Sequence, residues 1–243
     1  GTTPARDAAV EVSTAVTFAL ERLTRHQSHF SERELVRFAA EEAQGRGAGA
    51  QVIRAEVADL LARSPEVVRL GEVRGETRYT TREVLELEAA LIALAERGSE
   101  DPAHTLPPHI AGQVLAARPT VTGEQAAALV HLTRSPGGVK VVTGMAGTGK
   151  TFLLAAVREA FERAGYEVRG AALAGKAARG LENGAGIPSE TLHAVLARAD
   201  RGEAGFGPRS VLVVDEAGMV GTRQMEAVVR TVREAGGLVV LVG

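Results

Sequence analysis

Gly144-Met145-Ala146-Gly147-Thr148-Gly149-Lys150-Thr151 follows directly on the β-branched run Val139-Lys140-Val141-Val142-Thr143. The octapeptide meets G-x-x-x-x-G-K-[ST] at every fixed position, and residues 152–164 continue in a helical pattern. The local reading is strand, phosphate-binding loop, helix. Glycines let the backbone turn tightly, so that successive N–H groups of residues 144–149 point into an anion-sized hollow. Lys150 has the reach to meet β- and γ-phosphates, and the Thr151 hydroxyl is placed to ligate Mg²⁺. The stretch predicts a nucleoside triphosphate site. A glycine-rich turn with no ligand is the plainer alternative, and the flanking strand and helix weigh against it.

A phosphate loop alone hydrolyses nothing. The apolar run Ser210-Val211-Leu212-Val213-Val214 reads as a strand buried on both faces, and Asp215-Glu216 stands at its carboxyl end. Ligands of open α/β sheets bind there. Asp215 is placed to hold Mg²⁺ and Glu216 to orient or deprotonate an attacking water, because phosphoryl transfer asks a protein mainly for positioning and charge stabilisation. An isolated Asp-Glu pair is as readily a solvated strand end. Its spacing from Lys150 by one further β-α unit favours catalysis.

Four strand-like runs, 139–143, 166–172, 211–215 and 238–242, alternate with helical ones, which predicts a parallel sheet with right-handed crossovers, an α/β domain. Upstream, helical patterns cover 10–23, a helix opened by the capping box Ser31-Glu32-Arg33-Glu34, and 51–63. Two β-like runs, 67–73 and 77–81, join through Gly75. Three helices and a hairpin in that order describe a small winged-helix-like α+β domain. Arg54, Arg63, Arg69, Arg74 and Arg78 could touch phosphates there. The many carboxylates of the first hundred residues fit a solvated surface equally well. A helix is expected over 82–96; residues 98–119 turn to Pro, His and small residues with one short helix near 110–117. The expected domains are 1–97, a linker at 98–120, and 121–243.

The 243 residues exceed one average domain, and a 45% hydrophobic content with 3% aromatics describes a core of Ala, Val and Leu. A net charge of −2 excludes a uniformly basic nucleic-acid wrapper and leaves room for a local basic face. With no Cys there is no disulfide framework or thiolate metal site. No apolar run approaches a membrane span, and no signal peptide opens the sequence, so a cytoplasmic protein without membrane insertion is expected. The chain starts at Gly1 and stops in the strand-like run 238–242, which reads as a fragment.

The ordered series Thr122-Gly123-Glu124-Gln125, GMAGTGKT, AALAGKAARGL (171–181), SETLHAVL (189–196) and VLVVDEAGMVGTRQM (211–225) resembles the motif series of superfamily 1 helicases of the RecD-like branch. More narrowly, Tyr79-Thr80-Thr81-Arg82-Glu83-Val84-Leu85 and DEAGMVGTRQ resemble the helicase portion of conjugative transfer relaxases of the Ti-plasmid TraA type, the MobF class. The resemblance spans roughly 65–243.

That resemblance implies ATP and Mg²⁺ as cofactors, single-stranded DNA as partner, 5′ to 3′ translocation, and relaxosome and secretion coupling proteins nearby. Gln125 falls where such helicases read the adenine edge, a role its amide fits by donating and accepting at once; an N-terminal capping residue is the alternative. Lys176, Thr191 and His193 match stretches lining the single-strand path, although a lone Lys or His on a loop is more often only solvated. The family's γ-phosphate-sensing glutamine would lie beyond Gly243, with the second motor domain and its arginines, so the fragment should hold nucleotide with little turnover. The resemblance also implies an added strand between the Asp-Glu strand and the loop strand. The expected order is 166–172, 211–215, 238–242, 139–143. A RecD-type repair helicase and a non-catalytic nucleotide- or DNA-binding module remain alternatives.

Overall fold

The computed structural model describes residues 4–25, 27–44, 49–144 and 149–243. Cα proximity divides the chain into two compact units, one running to Ala89 with Gly221–Arg223, the other Ala90–Val220 with Gln224–Gly243.

In the first unit the order is α1 (Pro4–Thr24), β1 (Phe30–Ser31), α2 (Glu32–Glu42), α3 (Ala50–Arg63), β2 (Val67–Val73) and β3 (Glu76–Thr81). The three strands form a sheet in the order β1-β3-β2, so that three helices precede the β2–β3 hairpin. The Ser31 box opens α2: the Ser31 hydroxyl accepts from the Glu34 N–H at 3.3 Å, and the Glu34 carboxylate accepts from the Ser31 N–H at 2.8 Å. Burial raises the Glu34 pKa, but the Ser31 hydrogen bonds and Arg78 outweigh it and hold the carboxyl below its ordinary value. Arg74 and Gly75 both take positive φ, as the two-residue loop of a twisted hairpin requires. The core joins Val16, Leu23, Phe30, Leu35, Ile53 and Val57. The exposed guanidinium groups are largely answered by carboxylates: Arg63 by Asp59, Arg69 by Glu72, and Arg78 by Glu34 and Glu76.

α4 (Arg82–Glu96) carries the division between the units, after Ala89. The second unit then runs through a 3₁₀ turn (Pro102–His104), α5 (Pro108–Ala116), α6 (Gly123–Arg134), β4 (Val139–Val142), α7 (Lys150–Arg163), β5 (Glu167–Ala172), α8 (Gly175–Ala185), β6 (Ser189–Thr191), α9 (Leu192–Asp200), β7 (Ser210–Val214), α10 (Thr222–Glu234) and β8 (Leu238–Val242). The sheet is parallel, with order β4-β8-β7-β5-β6. The last strand in sequence lies between the loop strand and the Asp-Glu strand, as expected for a RecA-like domain with an added strand.

Alternation explains why β7 and β8 show no polar face. Val211, Val213, Leu238 and Val240 enter one core with Leu154, Val157 and Phe161 of α7, while Leu212, Val214 and Val239 enter the other with Val228, Val229 and Val232 of α10. Each such side chain contributes about 1.5–3 kcal/mol by burial.

Two expectations need correcting. Residues 98–120 are no linker: Leu106, Ile110 and Val114 are buried in the same core as α7, because the apolar face of α5 has only the α6–α7 layer on which to bury itself. The sheet also has a fifth strand, β6, which is short and polar and pairs only with β5.

Candidate nucleotide-binding site

A parallel sheet delivers every strand's carboxyl end to one edge. Residues 143–151 follow β4, 173–176 follow β5, 192–193 follow β6, 215–216 follow β7, and Gly243 ends β8. Ligands of open α/β sheets bind along that edge.

Of the phosphate loop, Met145, Ala146, Gly147 and Thr148 lie outside the described residues. Its flanks are well defined. The Gly144 N–H donates to the Gly243 carbonyl at 2.8 Å, and the Gly243 N–H to Val142 at 3.1 Å, so the β4–β8 ladder continues to the mouth of the loop. Gly149 takes left-handed φ 75° and ψ 32° immediately before α7. That conformation favours glycine, and a Cβ there would stand 2.5 Å from the Gln125 Nε2, which would have to move aside. Lys150, half-buried, is the first residue of α7 and Thr151 the second, which puts both at a helix N-terminus where unpaired N–H groups favour an anion.

Gln125 takes the capping role. Its backbone N–H donates to the Thr122 hydroxyl at 3.2 Å, and its Oε1 accepts from the Thr122 N–H at 3.1 Å, a capping box for α6. Its amide nitrogen reaches toward Gly149. A cavity of about 470 Å³ has Thr122, Gln125, Val142, Gly144, Lys150 and Gly243 in its wall. That volume falls within the range of about 300–1,000 Å³ usual for small-molecule sites. Val142 and Gly243 also line it, and no site role was expected of them.

At the end of β7 the Asp215 N–H donates to Ala171, and the Asp215 Oδ1 accepts from the Glu216 N–H at 2.9 Å. Glu216 is exposed and left-handed, φ 54° and ψ 37°. A Glu in that region is strained by order 1 kcal/mol, and such strain gathers at functional sites. Among the described residues no group of three or more His, Cys, Asp or Glu could hold a metal ion. A Thr hydroxyl and one carboxylate suit Mg²⁺, which keeps several waters.

Lys176 follows β5, and Thr191 and His193 stand at the end of β6, on the same edge. Lys176 is exposed in the first turn of α8. Thr191 is the N-cap of α9, its hydroxyl accepting from the Ala194 N–H at 3.2 Å, and His193 is exposed in the first turn of α9. A smaller hollow of about 370 Å³ lies in the first unit by Arg33, Arg54 and Glu76, and its charges are mixed.

A parallel sheet of this order, with a phosphate loop and an Asp-Glu strand end at one edge, defines a P-loop domain of RecA-like fold. Residues 120–243, just over half of the chain, match the family model described as AAA domain, and the chain belongs to that family. Over 232 residues, 92% of its length, it is 36% identical to a probable conjugal transfer protein TraA of Sinorhizobium fredii, of which it covers 20%. It is 39% identical over 188 residues to conjugal transfer protein TraA of Agrobacterium fabrum, covering 74% of this chain and 17% of that protein. Over 134 residues it is 36% identical to the ATP-dependent RecD2 DNA helicase of Deinococcus radiodurans, covering 52% and 18%. The resemblance to the helicase region of TraA-type relaxases is thereby borne out, and the chain spans about a fifth of the length of these relatives. Among the described residues no helix is long and apolar enough to cross a membrane.

Proposed function

We propose that this chain binds Mg·ATP and single-stranded DNA, and that it forms a winged-helix unit and the first motor domain of a 5′ to 3′ DNA helicase in a conjugative relaxase. The observation that supports it most is the cavity that joins Gln125, Gly144 and Lys150 beside the first turn of α7. In this reading the Lys150 ammonium and the N–H groups of residues 144–151 neutralise the phosphates. Gln125 faces the adenine, and Thr151 and Asp215 hold Mg²⁺. Mg²⁺, when bound, offsets charge that develops on the phosphoryl oxygens. Glu216 orients the attacking water and takes its proton. Lys176, Thr191 and His193 meet the DNA strand on the β5–β6 side, so that one edge of one sheet serves both ligands. Work in the cytoplasm beside relaxosome and secretion coupling proteins follows from the likeness to TraA. Coverage favours conjugation over repair, because the Sinorhizobium fredii TraA match covers 92% of the chain while the RecD2 match covers 52%.

Calorimetry tests the nucleotide half. A charge-assisted contact of about 1.5–3 kcal/mol predicts that Lys150→Ala weakens Mg·ATP binding by about 10- to 150-fold with the fold intact. Equal affinities for wild type and variant would sink the assignment.

A further inference from the structure

Two of the three glycines of helix α8 have opposite surroundings. A Cβ built on Gly180 meets nothing within 4 Å. A Cβ on Gly184, one turn later, would stand 2.3 Å from the Thr151 Cγ2, 3.6 Å from its Cβ and 3.7 Å from its Oγ1. The Thr151 methyl therefore faces Gly184, and the hydroxyl is turned away from it. The end of α8 is held on α7 independently: the Arg158 guanidinium donates to the Gly186 carbonyl at 2.7 Å, one residue past α8.

Glycine inside a helix is unfavourable against alanine, so its presence where it touches something asks for a reason. Methyl and hydroxyl of threonine sit on the same carbon, and its χ1 in a helix is confined to two wells. A methyl group at position 184 would expel the Thr151 methyl, and χ1 rotation would carry the hydroxyl with it by roughly a third of a turn.

We infer that Gly184 is a positioning residue: it leaves a slot for the Thr151 methyl and thereby holds the Thr151 hydroxyl in the rotamer that meets Mg²⁺. The inference rests on the Mg·ATP reading above. It makes α8, whose first turn carries Lys176, the neighbour that sets the metal-side rotamer of the phosphate loop.

The test measures affinity for ATP by calorimetry in Mg²⁺ and in EDTA, together with melting temperature, for wild type, Gly184→Ala, Gly180→Ala, Thr151→Ser and the double variant Thr151→Ser/Gly184→Ala. Gly180→Ala should raise the melting temperature by roughly 1–4 °C with unchanged nucleotide affinities. Gly184→Ala should forfeit that gain and lower affinity in Mg²⁺ by about tenfold, in the range found for residues that orient metal ligands, while affinity in EDTA stays within about twofold. Serine keeps the hydroxyl without the methyl, so the double variant should return to the Mg²⁺ affinity of Thr151→Ser. If wild type binds Mg·ATP and Gly184→Ala behaves like Gly180→Ala, or loses affinity equally in both buffers, or is not rescued by serine, the inference is overturned and the nucleotide reading stands. If wild type binds no Mg·ATP, the nucleotide reading falls and the inference with it.

Discussion

The two edges of the parallel sheet hold polar groups under opposite regimes. At the carboxyl edge Lys150, Thr151, Asp215 and Glu216 are half-buried or exposed, and Lys150 lines a cavity. At the amino edge Lys140 and His104 are buried among aromatic rings: Tyr166 meets Phe161 at 5.3 Å and His104 at 5.9 Å between centroids. Burial, with the Arg233 and Lys140 charges adding to it, pushes the His104 ring below its ordinary pKa, and burial lowers Lys140 to about 8. Strongly perturbed ionisation is a recognised sign of a functional site. Here it marks the structural edge instead. The Lys140 Nζ donates to the carbonyls of Leu132 at 2.8 Å and His104 at 3.2 Å, so the buried amine caps the last turn of α6. Groups proposed to meet a polyanion stay open to solvent, and groups that close a helix end are desolvated.

The largest way to break that contrast is at Tyr166, whose ring is buried and whose hydroxyl donates to the Ala103 carbonyl at 3.0 Å. Tyr166→Ala should cost about 3–5 kcal/mol in denaturant unfolding, the range for a buried aromatic. Mg·ATP affinity of the folded fraction should hardly move. A large change in affinity with small loss of stability would mean that the amino edge is functional after all.

Lys140 gives a pH signature of the same edge. Its pKa is 10.5 ordinarily and about 8 in the fold, so between these values the unfolded chain binds more protons than the native one. Stability should therefore rise as pH increases through 8 to 10.5 and be lower below 8, at no more than about 1.4 kcal/mol per pH unit and about 1–3 kcal/mol in all. Measured against Lys140→Met over that window, wild type should gain. Parallel curves for the two would show that the amine is not desolvated.

Asp215→Asn sharpens the contrast from the carboxyl edge. Asparagine still offers an oxygen to the Glu216 N–H, so unfolding free energy should change by less than about 0.5 kcal/mol, as at an ordinary surface position. Calorimetry should nonetheless show that Mg²⁺ no longer tightens ATP binding. A retained Mg²⁺ effect would remove Asp215 from the metal site.

Legibility divides along the same lines. The carboxyl edge could be read in advance because its chemistry demands particular residue types at fixed spacing, from Gly144 to Thr151 and at Asp215-Glu216. The central position of β8 was legible too, since Leu238-Val239-Val240-Leu241-Val242 has no polar face and must be buried on both. Strand β6 was not, because Ser189-Glu190-Thr191 is three polar residues whose strand conformation comes from pairing with β5 rather than from any propensity of their own. The role of 98–120 was hidden for a similar reason: Leu106, Ile110 and Val114 are spaced four apart, one apolar face among prolines, and only the tertiary core shows what it meets. Nothing local to Lys140 distinguishes it from a solvated lysine in a strand, as its partners are carbonyls 8 and 36 residues away. Nor does a single glycine in α8 disclose that Thr151 lies against it.

The smallest expected effect concerns the price of the carboxylate at Glu216. Its backbone is left-handed, a region in which a residue with a Cβ is strained by about 1 kcal/mol or more and glycine is not. Glu216→Gly removes that strain, and part of the gain is offset because glycine has more freedom to lose on folding. The net expectation is a stabilisation of about 0.5–1 kcal/mol in thermal unfolding, at an exposed position where most substitutions do little. Glu216→Ala separates the two causes, since it deletes the carboxylate and keeps the Cβ; it should give no such gain. If Glu216→Gly is instead less stable than wild type by more than about 0.5 kcal/mol, the conformation carries no strain. The carboxyl edge would then hold the Glu216 carboxylate at no cost to the fold, and the contrast between the two edges would rest on desolvation alone.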